Sequence, residues 1–200
     1  SREHEDDEAK TAERVRELLR DTVERQLVSD VPIGTLLSGG LDSSALTAFA
    51  ASHYRAEGLG AVPTFSVDYV GNDEHFRAST FQPNSDAPWV RRMAEHLGTA
   101  HRHVTIDTPE LVHSLDEAVI ARDLPGMADV DSSLLLFCRE IRKDVTVALS
   151  GEAADEGFGG YPWFYRRELL EADTFPWSAA LPVRLSILSD EAKAWIDPEG

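Results

Sequence analysis

The sequence predicts an α/β fold in which an open, mostly parallel sheet carries helices on both faces. Apolar segments rich in β-forming residues alternate with amphipathic helical segments, and this order is typical of parallel strands joined by helical crossovers. Two of the strand-like segments, 33–37 and 145–149, are each followed by Ser-Gly. Ligands of such sheets bind at the carboxyl ends of the strands, so these two turns are the first candidates for a binding site.

Hydrophobic periodicity, capping residues and glycines predict the individual elements. The first half of the chain is predicted to hold a helix over 9–28, a strand over 33–37, a helix that reaches His53 and a strand over 62–69. A polar loop over 70–85, a helix over 87–97 that Gly98 ends, and a strand over 101–106 follow. The last predicted elements are a helix with Thr108 as N-cap and Pro109 in its first turn, a helix that starts at Ser132 or Ser133, and a strand over 145–149.

We divide the chain into three parts. Residues 1–8 are charged and are expected to fray, 9–170 form the main domain, and 171–200 are an incomplete helical part of that same domain. Because the chain starts without Met and stops before its last element closes, we expect it to be a fragment of a longer protein.

The composition argues against several classes of partner. A formal net charge of −17 disfavours nucleic acid, because an acidic surface repels phosphate backbones. Cys138 is the one cysteine of the sequence, which excludes an intrachain disulfide and fits a cytoplasmic location; its apolar neighbours predict a position in the core. No apolar run reaches the roughly 18 residues that a membrane span needs.

The residues around the first Ser-Gly turn have the character of a phosphate-binding loop. Adjacent glycines let the backbone bend and come close to a ligand, and loop N–H groups together with a helix N-terminus favour an anion. Hydroxyl groups add donors, and one carboxylate can hold Mg²⁺. These residues are Leu36, Leu37, Ser38, Gly39, Gly40, Asp42, Ser43 and Ser44. The plainer alternative is a Gly-Gly turn before a helix capped by Asp or Ser.

Three carboxylates, Glu152, Asp155 and Glu156, follow the second Ser-Gly turn closely. Beside a phosphate loop they would repel the ligand and one another without a cation. Mg²⁺ prefers one or two carboxylates together with phosphate oxygens, so Asp42 and Asp155 are the natural pair of ligands. Glu152 is then available to orient a substrate or to transfer a proton. An acidic helix N-terminus favoured by the helix dipole is the alternative.

Both turns resemble motifs of one enzyme family. SGGLDSS after a strand resembles the PP-loop of the N-type ATP pyrophosphatases, and LSGEAADEGFGGY resembles the segment LSGEGADELFGGY in the synthetase domain of glutamine-dependent asparagine synthetases. The resemblance covers residues 9–167 and implies a Rossmann-like fold of the adenine nucleotide α-hydrolase type. It also implies that 9–170 is an ATP-binding synthetase domain.

The resemblance implies a role for each matching residue. Asp42 and Asp155 would hold Mg²⁺, and Glu152 matches a glutamate needed for the adenylated intermediate, so these three are the expected catalytic residues. The backbone of Val67 would meet the adenine. The full set expected to bind ATP is Leu36, Leu37, Ser38, Gly39, Gly40, Asp42, Ser43, Ser44, Val67, Ser150 and Gly151.

The implied activity is ATP-dependent asparagine synthesis. The side-chain carboxylate of aspartate attacks ATP to give β-aspartyl-AMP and pyrophosphate, and ammonia then displaces AMP. The ammonia would come from glutamine at an N-terminal glutaminase domain of the full-length chain, so the fragment alone is expected to be inactive or incomplete; a homodimer is left open. The alternatives are an amide-forming ligase of the β-lactam synthetase or lasso-peptide cyclase type, a PP-loop tRNA-modifying enzyme, and a non-catalytic nucleotide-binding module.

Three residues depart from the family pattern. Ala153 stands where the family has glycine, which implies a backbone that tolerates a Cβ, and Gly157 replaces a larger apolar residue, which is expected to loosen packing. Asp68 stands where many relatives have glycine, at the edge of the implied adenine pocket. His101 and His103 alternate on a strand and form a weaker candidate for a metal site.

Overall fold

The structure, a computed structural model, describes residues 5–78, 84–124, 126–171, 173, 175 and 181–196. The chain divides into two compact units, Ser1–Gly151 and Glu152–Gly200. The first unit holds the sheet, and the second holds the segment that follows the second Ser-Gly turn. The assignment of 9–170 to one domain, with a frayed 1–8 before it and 171–200 as its incomplete end, stays a prediction.

Helices and strands alternate through the first unit. Its elements are α1 (Glu8–Gln26), β1 (Ile33–Leu36), α2 (Leu41–Ala56), β2 (Pro63–Tyr69), α3 (Asn72–His75), α4 (Ala87–Leu97), β3 (Ala100–Ile106), α5 (Thr108–His113), α6 (Leu115–Arg122), α7 (Ala128–Ile141) and β4 (Val147–Leu149). The second unit has α8 (Ala154–Phe158), a 3₁₀ turn (Pro162–Phe164), α9 (Arg167–Leu170), α10 (Leu181–Ser186) and α11 (Asp190–Ile196). Within the described ranges, no helix has the length and apolar character needed to cross a membrane.

The four strands form one sheet in the order β3-β2-β1-β4, and every neighbouring pair is parallel. The predicted parallel sheet is confirmed. Thr35 pairs with Thr64 of β2 on one side and with Leu149 of β4 on the other. The strands that precede the two Ser-Gly turns, β1 and β4, are therefore neighbours whose carboxyl ends lie at the same edge.

Helices cover both faces of the sheet, as the sequence predicts. Because side chains alternate along a strand, Ile33 and Leu37 lie on one face, where α1, α2 and α4 bury apolar residues against them. Phe65 lies on the other face, under α7. It is 2% exposed, and burying a side chain of this size contributes about 1.5–3 kcal/mol. The core thus consists of two apolar layers separated by the strands.

Two helices begin at other residues than the sequence predicts, and the structure also gives the start of α2, which the sequence left open. The N-cap of α2 is Gly40, so the helix already includes Asp42 in its first turn. The N-cap of α5 is Asp107 rather than Thr108, because Asp107 and Glu110 form a capping box that competes with the threonine cap. The helix α7 begins at Ala128, ahead of the two serines that were expected to cap it.

The predicted core position of Cys138 is wrong. Its side chain is exposed, whereas Phe137 and Ile141, one residue before it and three after, form the buried stripe of α7. That spacing of four brings both apolar side chains onto one face of the helix, and Cys138 falls beside it. Partial burial nevertheless raises the pKa of the Cys138 thiol.

We expect Gly34→Ala to lower the free energy of unfolding by about 1–3 kcal/mol, the usual cost of an over-packed core. A Cβ at Gly34 would lie 2.7 Å from the ring of Phe65 and 2.9 Å from the carbonyl oxygen of Pro63. Denaturant unfolding followed by circular dichroism measures the change.

A double-mutant cycle provides the control for this packing. The cost of Gly34→Ala should shrink when Phe65→Leu is already present, because the shorter side chain removes one of the two clashes. Equal costs in both backgrounds would contradict the contact between β1 and the Phe65 ring.

Candidate functional site

The two Ser-Gly turns meet at the carboxyl edge of the sheet. A Cβ at Gly151 would lie 3.1 Å from the backbone nitrogen of Ser43 and 3.2 Å from the Cβ of Asp42. The turn after β4 therefore packs directly on the first helical turn after β1, and glycine at position 151 permits the approach. The two turns converge because the strands that precede them are neighbours in the sheet.

A cluster of hydrogen bonds around Ser43 braces the first turn from inside. Its Oγ donates to the carbonyl of Gly40 (3.3 Å) and accepts the N–H of Ser38 (3.2 Å), while the two serine hydroxyls lie 2.9 Å apart. Ser43 is 7% exposed. Its hydroxyl is thus engaged within the turn, whereas Ser38 is exposed and Ser44 is partly buried on the helix.

The N-terminus of α2 has no side-chain cap. Gly40 is its N-cap residue and supplies no side-chain hydrogen bond to the first-turn N–H groups, which have no partner within the helix. The alternative of a helix capped by Asp or Ser is therefore wrong. Asp42 lies in this first turn with an exposed side chain, so the same turn presents N–H donors for an anion and a carboxylate for a cation.

The helix α4 packs on the glycine turn, a contact that sequence reasoning missed. Gly39 has φ = 82°, and a Cβ there would lie 2.8 Å from the backbone nitrogen of Val90 and 2.9 Å from the Cβ of Trp89. Glycine therefore meets two requirements at once, a left-handed conformation and a close approach to a helix. The Gly-Gly pair was visible in the sequence, but its partner lies about fifty residues away and left no local signal.

Leu36, Leu37 and Val67 of the predicted ATP-binding set differ in their exposure. Leu37 is 1% exposed and packs in the core with Val90 and Ala94, so almost none of the residue is accessible to a ligand. Leu36 and Val67 are partly buried. The place of Leu37 in the ATP-binding set stays a prediction, since α4 covers the face of the sheet on which its side chain lies.

The peptide group of Val67 points past the end of β1. The carbonyl of Phe65 accepts the N–H of Leu37 at 2.8 Å. Alternate residues of a strand direct their N–H and C=O groups to the same side, so those of Val67 also point toward the β1 side. The strand β1 ends at Leu36, two residues before Ser38, which the register places level with Val67. This leaves the Val67 backbone at the edge where the glycine turn begins.

The remaining predicted residues lie on either side of the boundary between the units. Ser150 is exposed and ends the first unit together with Gly151. Glu152 and Asp155 belong to the second unit and have exposed side chains. A Cβ at Gly160 would overlap Oδ1 of Asp155, so glycine there leaves room for the carboxylate.

Tyr161 lies among the carboxylates of the second motif. It donates a hydrogen bond of 2.8 Å to Glu156, and this bond, with desolvation and the nearby charges of Glu156, Asp155 and Glu152, raises the pKa of the Tyr161 hydroxyl. Its ring stacks on Trp163 with centroids 4.4 Å apart. Tyr161 is thus held by a hydrogen bond and a ring contact within the second motif.

The expected tolerance for a Cβ at position 153 is wrong. Ala153 has φ = 69° and ψ = 7°, in the left-handed region that costs a non-glycine residue about 1–2 kcal/mol. The backbone therefore disfavours a Cβ at this position instead of tolerating one. At Gly157 a Cβ would meet no neighbour among the described residues, and the looser packing expected there stays a prediction.

The donor set fits Mg²⁺ better than a metal held by many side chains. Across the part of the chain that the structure describes, no group of three or more His, Cys, Asp or Glu side chains could hold a metal ion. The rings of His101 and His103 hydrogen-bond to Thr64 and Ser66 instead. Mg²⁺ needs only one or two carboxylates when a polyphosphate supplies oxygens, and Asp42 beside an uncapped helix N-terminus meets that requirement.

Comparison with known proteins identifies related chains. The profile of the family described as Asparagine synthase matches residues 14–199. The chain is 55% identical over 190 residues to asparagine synthetase (glutamine-hydrolyzing) 3 of Bacillus subtilis (strain 168), which covers 95% of this chain and 31% of that protein.

More distant relatives carry the same description. Asparagine synthetase (glutamine-hydrolyzing) 1 of the same bacterium is 35% identical over 82% of this chain and 23% of its own length. The corresponding protein 2 of Oryza sativa subsp. japonica is 33% identical over 74% of this chain and 25% of its own length. The chain therefore spans about a third or less of the curated relatives it matches. The match over residues 14–199, on a sheet that brings the two Ser-Gly turns together, makes this chain a member of the asparagine synthase family.

Proposed function

We propose that this chain is the ATP-binding synthetase part of a glutamine-hydrolysing asparagine synthetase. The observation that carries the proposal is the uncapped N-terminus of α2, against which Gly151 packs. Its first-turn N–H groups and the glycine turn make an anion site suited to the polyphosphate of a nucleotide. The reaction is taken from the names of the relatives, which are glutamine-hydrolysing asparagine synthetases.

The proposed ATP site follows the edge of the sheet. The glycine turn and the first turn of α2 bind the pyrophosphate moiety, and Ser150 with Gly151 lies near the ribose and α-phosphate. The adenine meets the backbone of Val67, whose N–H and C=O point past the end of β1. Edge N–H and C=O groups of this kind pair with the hydrogen-bonding edge of a base, because a base offers both donors and acceptors.

We propose Asp42 as a Mg²⁺ ligand, with Asp155 of the second unit as its partner because the second motif resembles that of the family. When bound, Mg²⁺ would offset the charge of the polyphosphate and ease the departure of pyrophosphate. The Asp42 carboxylate lies on the helical turn whose N–H groups bind the polyphosphate. The turn therefore binds the anion through its N–H groups and the cation through the adjacent carboxylate.

In the proposed reaction the side-chain carboxylate of aspartate attacks the α-phosphorus of ATP and pyrophosphate leaves. The loop N–H groups oppose the negative charge that grows on the leaving group. Ammonia then attacks the activated carboxyl group and releases AMP, and Glu152 orients the adenylated intermediate or accepts a proton. We further propose that a glutaminase domain elsewhere in the full-length protein supplies the ammonia and that the protein is cytoplasmic.

An ATP–pyrophosphate exchange assay on the full-length protein tests the proposal. Adenylation is reversible, so labelled pyrophosphate should appear in ATP only when aspartate is present. Exchange that requires another carboxylic acid would favour a ligase of the β-lactam synthetase or lasso-peptide cyclase type. ATP binding without any exchange would contradict an adenylating enzyme and leave a nucleotide-binding module.

We expect Asp42→Asn to lower the aspartate-dependent exchange rate by about two to three orders of magnitude, because the variant loses a carboxylate that holds Mg²⁺. The matched control is Asp116→Asn. Asp116 is also exposed in the first turn of a helix, α6, and its replacement should leave exchange unchanged. Equal effects of the two substitutions would indicate a general loss of helix stability instead of a lost ligand.

We expect Gly151→Ala to weaken ATP binding about tenfold, which corresponds to about 1.4 kcal/mol. The new Cβ would press on the Ser43 backbone nitrogen at 3.1 Å and shift the turn that binds phosphate. Gly157→Ala adds the same methyl group where no atom of the described residues lies within 4 Å and serves as the control. Calorimetric titration with ATP and Mg²⁺ measures both; unchanged affinity in Gly151→Ala would sink the assignment of this turn.

A further inference from the structure

A row of polar side chains crosses one face of the sheet, on β2 and β3. Thr64, Ser66 and Asp68 are every second residue of β2, so their side chains lie on the same face. His101 and His103 of β3 lie beside them. We call these five residues the polar row. Thr64 and Ser66 are buried, and Asp68 retains 22% of its side-chain exposure. Such a row is unusual where a sheet is otherwise covered by apolar side chains, and neither the phosphate loop nor the proposed catalytic residues account for it.

Hydrogen bonds connect the polar row without a break from Thr64 to His103. Thr64 Oγ1 lies 2.9 Å from His101 Nδ1, and Ser66 Oγ lies 3.1 Å from His101 Nε2 and 2.8 Å from His103 Nδ1. Thr64 Oγ1 also lies 2.9 Å from the hydroxyl of Thr99. Both ring nitrogens of His101 are thus engaged, and each hydroxyl lies between two partners.

The single proton of the Ser66 hydroxyl couples the tautomers of the two histidines. A hydroxyl group donates only one hydrogen bond, so Ser66 donates to one ring and accepts an N–H from the other. If His103 carries its proton on Nε2, Ser66 donates to Nδ1 of His103. His101 must then carry its proton on Nε2 to donate to Ser66, and its Nδ1 accepts from Thr64. The opposite arrangement reverses every bond, so the row has two directions.

Asp68 lies at the end of the row and distinguishes the two directions. Its Oδ2 is 4.0 Å from Nε2 of His103, which is too long for a hydrogen bond but close enough for a strong electrostatic preference. A carboxylate has only acceptors, so it favours an N–H at that nitrogen over a lone pair. Burial, together with the neighbouring His103, lowers the pKa of His101, which agrees with a neutral ring in the middle of the row.

Asp68 also fixes the backbone at the carboxyl end of β2. Its Oδ1 accepts the N–H of Tyr69 (2.8 Å) and the side-chain amide of Asn72 (2.6 Å). The residue before it is Val67, whose peptide group is the proposed contact of the adenine. One carboxylate therefore connects the polar row, the turn into α3 and the end of the strand that faces the nucleotide.

We propose that Asp68 sets the direction of the hydrogen bonds in the polar row, with Nε2 protonated in both histidines, and that Asp68 and His103 are positioning residues for the nucleotide base. The first half of this proposal depends only on the structure of β2 and β3. The second half rests on the proposed function, because it requires ATP to bind at the edge formed by Val67.

Nitrogen NMR of the full-length protein, labelled with ¹⁵N-histidine, tests the direction of the row. At pH 8 the long-range ¹H–¹⁵N spectrum should show His101 and His103 protonated at Nε2, with signals assigned by His101→Gln and His103→Gln. Asp68→Asn should move the proton of both rings to Nδ1, because the introduced amide can donate to Nε2 of His103 while its oxygen retains the bonds to Tyr69 and Asn72.

Two controls show whether the change in the NMR spectrum is specific to the polar row. His96 is exposed at the end of α4, and its tautomer should not respond to Asp68→Asn. Adding Ser66→Ala to Asp68→Asn should confine the change to His103, because the hydroxyl that couples the rings is gone. Protonation of either ring at Nδ1 in the unaltered protein, or a response of His103 alone to Asp68→Asn, would overturn the proposed direction.

Exchange kinetics test the positioning half. Asp68→Asn and His103→Gln should each raise the KM for ATP about threefold to tenfold, with kcat and the KM for aspartate nearly unchanged. The control His96→Gln should leave kcat and both KM values unchanged. An unchanged KM for ATP, or an equal loss in kcat, would refute the positioning role. Absence of aspartate-dependent exchange in the unaltered protein would instead refute the proposed function, and the NMR result would stand independently of it.

Discussion

The parallel pairing of β1 with β4 is the constraint on which the candidate site depends. Thr35 of β1 and Leu149 of β4 are partners in the ladder, so both strands end at the same edge and their Ser-Gly turns come into contact. The contact is tight enough that position 151 accommodates a glycine and little else beside Ser43. A change of one residue in this register would turn every side chain of the strand to the other face and separate the turns.

The protein reconciles a strongly acidic composition with a site for an anion through local geometry. The net charge of −17 acts over long distances, where salt screens it beyond about 8 Å at physiological ionic strength. At the first turn of α2 the N–H groups converge without a side-chain cap, and their attraction operates at contact distance. Asp42 in the same turn provides the complementary carboxylate, so a cation and an anion can be held together.

Most of the fold could be predicted because each layer has a local signal. Strand periodicity placed β1, β2 and β3 to within one or two residues, and Gly98 ends α4 in a left-handed conformation as expected. Helix starts were predicted less well, since Asp107 replaced the expected cap Thr108 and α7 begins at Ala128, ahead of the expected serines. Capping depends on which of several adjacent polar side chains obtains the right geometry, and small differences in energy decide it.

The sequence by itself determined the residue types of the site and their order: glycines where the backbone must bend, carboxylates for a cation, and strands that end in Ser-Gly. Only the tertiary structure decided which of those groups are accessible. Ser43 is engaged inside the turn and Leu37 is buried under α4, while the Val67 backbone projects beyond β1. Those outcomes depend on strand register and on contacts between residues far apart in the chain, which a local pattern does not encode.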